Sequence, residues 1–237
     1  MTEAKFEGVQ VVLLDIEGTT TPISFVYETL FPYARKRLRT FLALTRDDRD
    51  VSRALATLAA ERDADPAAGS SVDLATYAEQ LMDRDSKSPG LKALQGLIWN
   101  VGYGSGALYG VVFDDVPAAL KRWRSAGIRT AIYSSGSVLA QKLIFRTTKK
   151  FGDLTPEISA FFDTAVGPKR DAASYDTIAK QLGVEPRRIL FVSDVVPELE
   201  AAARAGCQVA LIVRPGNPPQ NGTGTIPTIV DLSAIPS

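Results

Sequence analysis

Apolar and polar positions follow two rhythms along this chain. Four short unbroken apolar runs, Val11–Leu14, Thr130–Tyr133, Ile189–Val192 and Val209–Val213, are rich in β-branched residues. Each reads as a strand buried on both faces, as in a parallel sheet. Helical patterns separate the later runs, at Pro117–Ala126, Val138–Arg146, Tyr175–Leu182 and Glu198–Ala205. Three of them stop at Gly127, Gly183 and Gly206, where helix caps belong. Strand–helix alternation with short connections predicts an α/β fold built on a doubly wound, mostly parallel sheet.

The interval between the first run and the second is too long for one crossover helix. Within it, Leu30–Leu44, Val51–Ala60 and Leu74–Met82 have helical spacing, divided by the polar stretches Arg46–Asp50, Arg62–Ser71 and Asp83–Gly90. Gly102, Gly104 and Gly106 close the interval and fit a hinge, because glycine absorbs backbone rotation at no steric cost. The expected organisation is a core of residues 1–20 and 117–237, with a helical cap at 21–116 inserted after the first strand. Pro215–Pro227 reads as loop, and Thr228–Leu232 as a final edge strand.

Composition narrows the chemistry. The 237 residues are 45% hydrophobic and 23% charged, with no histidine and one cysteine, Cys207. Without histidine there is no Ser-His-Asp or Cys-His unit and no His-ligated zinc or haem. Without a second cysteine there is no internal disulfide and no CxxC pair, which fits a reducing cytoplasm. What remains is carboxylates, Lys and Arg, hydroxyls, backbone amides and an oxygen-ligated cation such as Mg²⁺. The 27 basic and 27 acidic side chains cancel, whereas phosphate-backbone binders carry a basic excess. The clusters Arg35-Lys36-Arg37 and Lys149-Lys150 read as solvated faces. The apolar run from Val9 is cut at Asp15, too early for a signal peptide or a membrane span. The expectation is a cytoplasmic protein with no nucleic-acid or membrane partner.

Open parallel sheets bind ligands beyond the carboxyl ends of their strands. The first run ends in Asp15-Ile16-Glu17-Gly18-Thr19-Thr20, the second in Ser134-Ser135-Gly136-Ser137 and the third in Ser193-Asp194, while Gly167-Pro168-Lys169-Arg170 precedes a helix. Each has a plain alternative: Asp15 a turn residue, Ser134 and Ser135 or Asp194 helix caps, Lys169 a solvated lysine. Four such accidents on one rim are a poorer explanation than one site. Asp15 and Asp194 can share a Mg²⁺, and Ser134, Ser135 and Lys169 suit a phosphate. With no histidine a carboxylate is the natural nucleophile, and Glu17, two residues on, can donate a proton to the leaving oxygen.

This order of motifs resembles the haloacid-dehalogenase-like hydrolases, with one departure: Glu17 stands where a second Asp is usual. The departure narrows the resemblance. Asp15-Ile16-Glu17-Gly18-Thr19-Thr20-Thr21-Pro22-Ile23 is similar to the opening motif of the enolase-phosphatases, or acireductone synthases, of methionine salvage. Leu94–Trp99 with Gly102-Tyr103, Tyr133–Val138 with Ala140-Gln141, Asp163–Gly167 with Lys169 and Ser174-Tyr175, and Ser193-Asp194 with Glu198-Leu199 resemble later segments of that family. The resemblance spans residues 9 to 216. It implies a Rossmann-like core and a Mg²⁺-dependent enolisation and dephosphorylation of 2,3-diketo-5-methylthiopentyl 1-phosphate. In that reaction Asp15 is nucleophile and metal ligand, Glu17 general acid and ligand through its backbone carbonyl, and Asp194 the third protein ligand. Ser134, Ser135 and Lys169 hold phosphate. Glu198, one helical turn past Asp194, orients Lys169 or a water on the metal. Oligomeric state is not readable from these motifs, and a monomer is the default. The base for enolisation stays open, Glu17 being one candidate. Trp99 and Tyr103 either line the methylthio end or pack in the cap. Competing readings are another phosphomonoesterase of the superfamily, a dehalogenase, and a phosphorylated receiver domain, for which the chain is long.

Overall fold

The computed structural model describes residues 6–45, 47–68, 71–220 and 224–236. Arg46, Gly69, Ser70 and residues 221–223, which fall in the expected polar stretches and tail loop, lie outside the described residues. The chain divides into two units, Phe25–Leu108 and Met1–Ser24 with Tyr109–Ser237. The second unit takes in residues 21–24 and 109–116, which the hydrophobic pattern assigns to the insert. The reason is backbone pairing: the Phe113 amide donates to the Thr20 carbonyl at 3.0 Å.

The first unit is helical. A π-helix, Phe25–Leu30, leads into α1 (Phe31–Leu44), followed by α2 (Arg49–Ala64), α3 (Leu74–Asp83) and α4 (Pro89–Gly104). Asp48, Asp73 and Ser88 cap α2, α3 and α4 through side-chain oxygens that accept free first-turn amides. The apolar stripes of the helices supply the buried Leu38, Phe41, Leu58, Tyr77, Leu81, Leu94 and Ile98. Helix α4, equal in length to α2 at 16 residues, runs against expectation. Pro89 and four glycines between Gly90 and Gly104 hide its period in the sequence, but they serve packing. A Cβ on Gly90 would come within 2.7 Å of the Leu58 backbone, and one on Gly102 within 2.8 Å of Leu108 and Tyr33. Gly102 and Gly104 are therefore helical residues rather than hinge positions, and only Gly106 has a left-handed φ, at 71°.

The second unit is a six-stranded, all-parallel sheet: β1 (Val11–Leu14), β2 (Arg129–Tyr133), β3 (Ala160–Phe162), β4 (Ile189–Ser193), β5 (Gln208–Ile212) and β6 (Thr228–Ile229). The order β3-β2-β1-β4-β5-β6 makes the fold doubly wound. Every residue of β1 and β4 is buried, as their unbroken apolar runs require. The flanking helices are α5 (Val116–Ser125), α6 (Val138–Arg146), α7 (Ala172–Leu182) and α8 (Val196–Arg204). Gly183 caps α7 in the left-handed region, at φ 67°. Two expectations need correction. The edge strand β3 has three residues and no apolar run long enough to announce it, and β6 stops at Ile229, with Leu232 opening a 3₁₀ turn. Leu13, Tyr133, Tyr175, Phe191 and Leu199 form the packed layer between sheet and helices.

Candidate active site

The sheet changes direction between β1 and β4, and their shared carboxyl end is the crevice where an open α/β sheet binds ligands. Register places Leu14 beside Val192. Asp15 leaves β1 with its amide on the Val192 carbonyl at 3.0 Å, next to Ser193 and Asp194 at the end of β4. On the other side Leu14 lies beside Ile132 of β2, two residues ahead of Ser134.

After Asp15 the chain winds into one wide turn. The amides of Thr19, Thr20 and Thr21 all point at the Ile16 carbonyl, at 3.2, 2.9 and 2.8 Å, and the Gly18 amide returns to Thr21 O at 2.8 Å. Thr20 Oγ1 donates to Asp15 O at 3.0 Å. Gly18 sits at φ 70°, and a Cβ there would collide with the Asp194 carboxylate. The turn can lie this close to Asp194 only because residue 18 is glycine.

Lys169 is the electrostatic centre. It is only 5% exposed, so it is no solvated loop lysine. Its Nζ lies 2.7 Å from Asp15 Oδ1 and 2.6 Å from Glu198 Oε2. Burial alone would lower its pKa, but the charges of Asp15 and Glu198 outweigh that and raise it, so the amine stays protonated. The rings of Tyr133 and Phe191 flank the ammonium at 5.8 Å each. Ser193 Oγ lies 3.3 Å from Asp15 Oδ2 and 3.1 Å from Glu198 Oε2, its single proton shared between them. Tyr175 fixes the two backbones, its hydroxyl donating to Lys169 O at 2.7 Å and Glu198 O at 3.2 Å.

The remaining expected residues lie on the same rim without acting as caps. Asp194 is buried and is not the N-cap of α8; that position is Val195, whose side chain makes no capping bond. The cap of α6 is Ser137. Ser134 is buried, with Oγ accepting from the Gly136 amide at 3.1 Å, while Ser135 is half-buried. Gln141 supports this loop by donating to Gly136 O and Phe162 O, each at 2.8 Å. Glu17 is half-buried in the turn. Trp99 is used for packing in the helical unit: its Nε1 donates to Leu30 O at 2.8 Å and its ring stacks on Phe31. Sequence reasoning passed over Ser193 as a ligand of Asp15 and Glu198, and also Arg214 and Asn217, whose side chains bond the Glu17 turn from nearly 200 positions away.

Charge balance bears on a metal. Asp15, Asp194 and Glu198 face one ammonium. Burial, together with the charge of Asp15, pushes Asp194 up to about 7, and burial likewise raises Glu198. A divalent cation beside Asp15 and Asp194 would relieve both the desolvation and the repulsion. Among the described residues no three His, Cys, Asp or Glu side chains gather into a metal group. A cation here would therefore draw on two carboxylates, with backbone oxygen and water completing its shell. That donor set suits Mg²⁺, which is bound through one or two carboxylates and keeps several waters.

Residues 9–206 match the haloacid dehalogenase-like hydrolases. Over 217 residues the chain is 50% identical to enolase-phosphatase E1 of Synechococcus elongatus, covering 89% of this chain and 91% of that one. The chain belongs to the enolase-phosphatase E1 family. The Drosophila melanogaster member of the family is 48% identical, over 88% of this chain and 84% of its own. The crystal structure of the UTR4 protein of Saccharomyces cerevisiae superposes with a TM-score of 0.78 at 35% identity, covering 94% of this chain and 98% of that one. Placed in the E1 family, the chain is a hydrolase, and the Asp15-x-Glu17 turn and the Lys169 bridge lie inside the matched region. Among the described residues no helix is long and apolar enough to cross a membrane.

Proposed function

We propose that this protein is a Mg²⁺-dependent enolase-phosphatase acting on 2,3-diketo-5-methylthiopentyl 1-phosphate in methionine salvage. In this reading it enolises the diketone and then releases phosphate to give the acireductone. The observation that carries the reading is the Asp15–Lys169–Glu198 bridge at the sheet's switch point, in a chain half identical to an E1 enzyme.

The dephosphorylation follows from the side chains. Asp15 Oδ1 is pinned by Lys169 Nζ and by the Ile16 amide, both at 2.7 Å. This sets the carboxylate plane and leaves the second oxygen with lone pairs for phosphorus. That oxygen forms a bond to phosphorus as the bond to the substrate oxygen breaks, and Glu17 gives its proton to the leaving oxygen. Glu17, now a carboxylate, takes a proton from the water that attacks the phosphoaspartate, which restores Asp15 and frees phosphate. Ser134, Ser135 and Lys169 hold the phosphoryl oxygens. Asp15, Asp194 and the Glu17 carbonyl would hold Mg²⁺, which would supply positive charge to offset that of the phosphoryl group. The protein works in this reading as a cytoplasmic monomer on a phosphorylated small molecule, and sedimentation at working concentration checks the monomer.

Turnover of the diketo phosphate with and without Mg²⁺, with enol absorbance and free phosphate followed separately, tests the reading. Both signals are expected, in that order, and both should fall on chelation. No enol and no phosphate would remove the assignment, and turnover confined to common sugar phosphates would replace it with a general phosphomonoesterase.

A further inference from the structure

Three successive carbonyls of the turn that carries Glu17 are each held from outside the turn. Gly18 O accepts from Asn217 Nδ2 at 2.9 Å. Thr19 O accepts from both Nε and Nη2 of Arg214, each at 3.1 Å. Thr20 O accepts the Phe113 amide at 3.0 Å. None of these donors belongs to the strand-end motifs.

Arg214 is itself fixed on every side. It is 5% exposed. Its Nη1 and Nη2 pair with Asp115 Oδ1 and Oδ2 at 3.0 and 2.9 Å, and its guanidinium lies 4.3 Å from the centre of the Phe113 ring. Asp115 Oδ2 also accepts the Leu232 amide at 2.7 Å, and the Asn217 amide bonds Arg214 O at 3.1 Å. A buried ion pair seldom outperforms apolar packing in stability. What the guanidinium fork supplies, and an apolar side chain does not, is a fixed direction for the Thr19 carbonyl. The same turn lies against Asp194 at Gly18, so a small rotation of its peptides displaces Glu17 relative to the carboxylates.

We propose that Arg214 and Asn217 are positioning residues that hold the Ile16–Thr21 turn so that the Glu17 carboxyl meets the leaving oxygen. The proposal rests on Glu17 being the general acid, and its test separates the two. Leaving groups differ in their need for a proton: the enol of the diketo phosphate leaves with help from an acid, whereas the acetate of acetyl phosphate leaves without it. Asn217→Ala and Arg214→Lys are assayed for first-turnover release of the leaving group, acireductone or acetate, a step that precedes hydrolysis of the phosphoaspartate, with Glu17→Gln as reference and circular dichroism to follow the folded fraction. Asn217 is half-buried in a loop, so its variant keeps the test valid should Arg214→Lys unfold.

Misplacing a general acid costs about 10- to 100-fold. Both variants are therefore expected to lose that much of the first-turnover rate on the diketo phosphate, while its half-saturating concentration and the first-turnover rate of acetate release from acetyl phosphate stay within about twofold. Equal losses on the two compounds, or no loss on either, while Glu17→Gln remains selective, would overturn the positioning role. A Glu17→Gln variant that slows both compounds equally would instead overturn the general-acid reading, and this one with it.

Discussion

The two units of this protein bury different kinds of side chain. In the sheet unit, Asp15, Ser134, Lys169, Ser193, Asp194, Glu198 and Arg214 are all withdrawn from water, and most gather beyond the ends of β1 and β4. In the helical unit the buried polar residues are Ser88 and Gln95 among the described residues, and the ion pairs Arg35–Asp83 and Arg39–Glu79 lie toward solvent. Burying charge is costly unless it is paired. The sheet unit bears that cost where chemistry needs a desolvated carboxylate, and the helical unit follows volume and shape alone. The pair Asp15–Lys169 at 2.7 Å and the pair Arg39–Glu79 at 2.7 Å are equal in length and opposite in consequence.

Substitutions can break that contrast. The largest effect is expected at Asp15: Asp15→Asn should cut phosphate release about a thousandfold or more by removing the nucleophile, with the circular dichroism spectrum unchanged. Lys169→Met comes next. It leaves Asp15 and Glu198 buried without their counter-charge, and denaturant unfolding should show a loss of about 3–5 kcal/mol on top of a large loss of turnover. In the helical unit the sensitive position is one of shape. Gly90→Ala drives a methyl into the Leu58 backbone, an overpacking that should cost about 1–3 kcal/mol in the same experiment. The smallest effect belongs to Arg39→Ala, which should leave the unfolding midpoint within measurement error, because the exposed pair is screened by water and salt. A midpoint that moved as far for Arg39→Ala as for Lys169→Met would erase the distinction between the units.

The same contrast decides how much could be read beforehand. Strands β1, β2, β4 and β5 were legible because a strand buried on both faces must be apolar at every position, and their ends pointed to Asp15, Ser134 and Asp194. Glu198, one helical turn past Asp194, was legible as a partner of either Lys169 or a metal-bound water, and the structure pairs it with Lys169. Two elements were not legible. β3 is a three-residue edge strand, Ala160–Phe162, too short for any period, and α4 contains glycines that intrinsic propensity counts against a helix. Close approach to Leu58, Leu108 and Tyr33 overrides that propensity, and tertiary packing of this kind leaves no mark in a local window. Arg214 and Asn217 were illegible for another reason. Their partners, Thr19 and Gly18, lie 195 and 199 residues away, and only the folded sheet brings them together.

The central claim is that Asp15 carries the phosphoryl group during turnover. Quenching the working enzyme with borohydride, which reduces an acyl phosphate to an alcohol, and mapping the product by peptide mass spectrometry tests it directly. The account predicts reduction of Asp15 alone, dependent on substrate and absent in Asp15→Asn. Undiminished phosphate release with Asp15 unmodified, or reduction found at Asp194 instead, would contradict it.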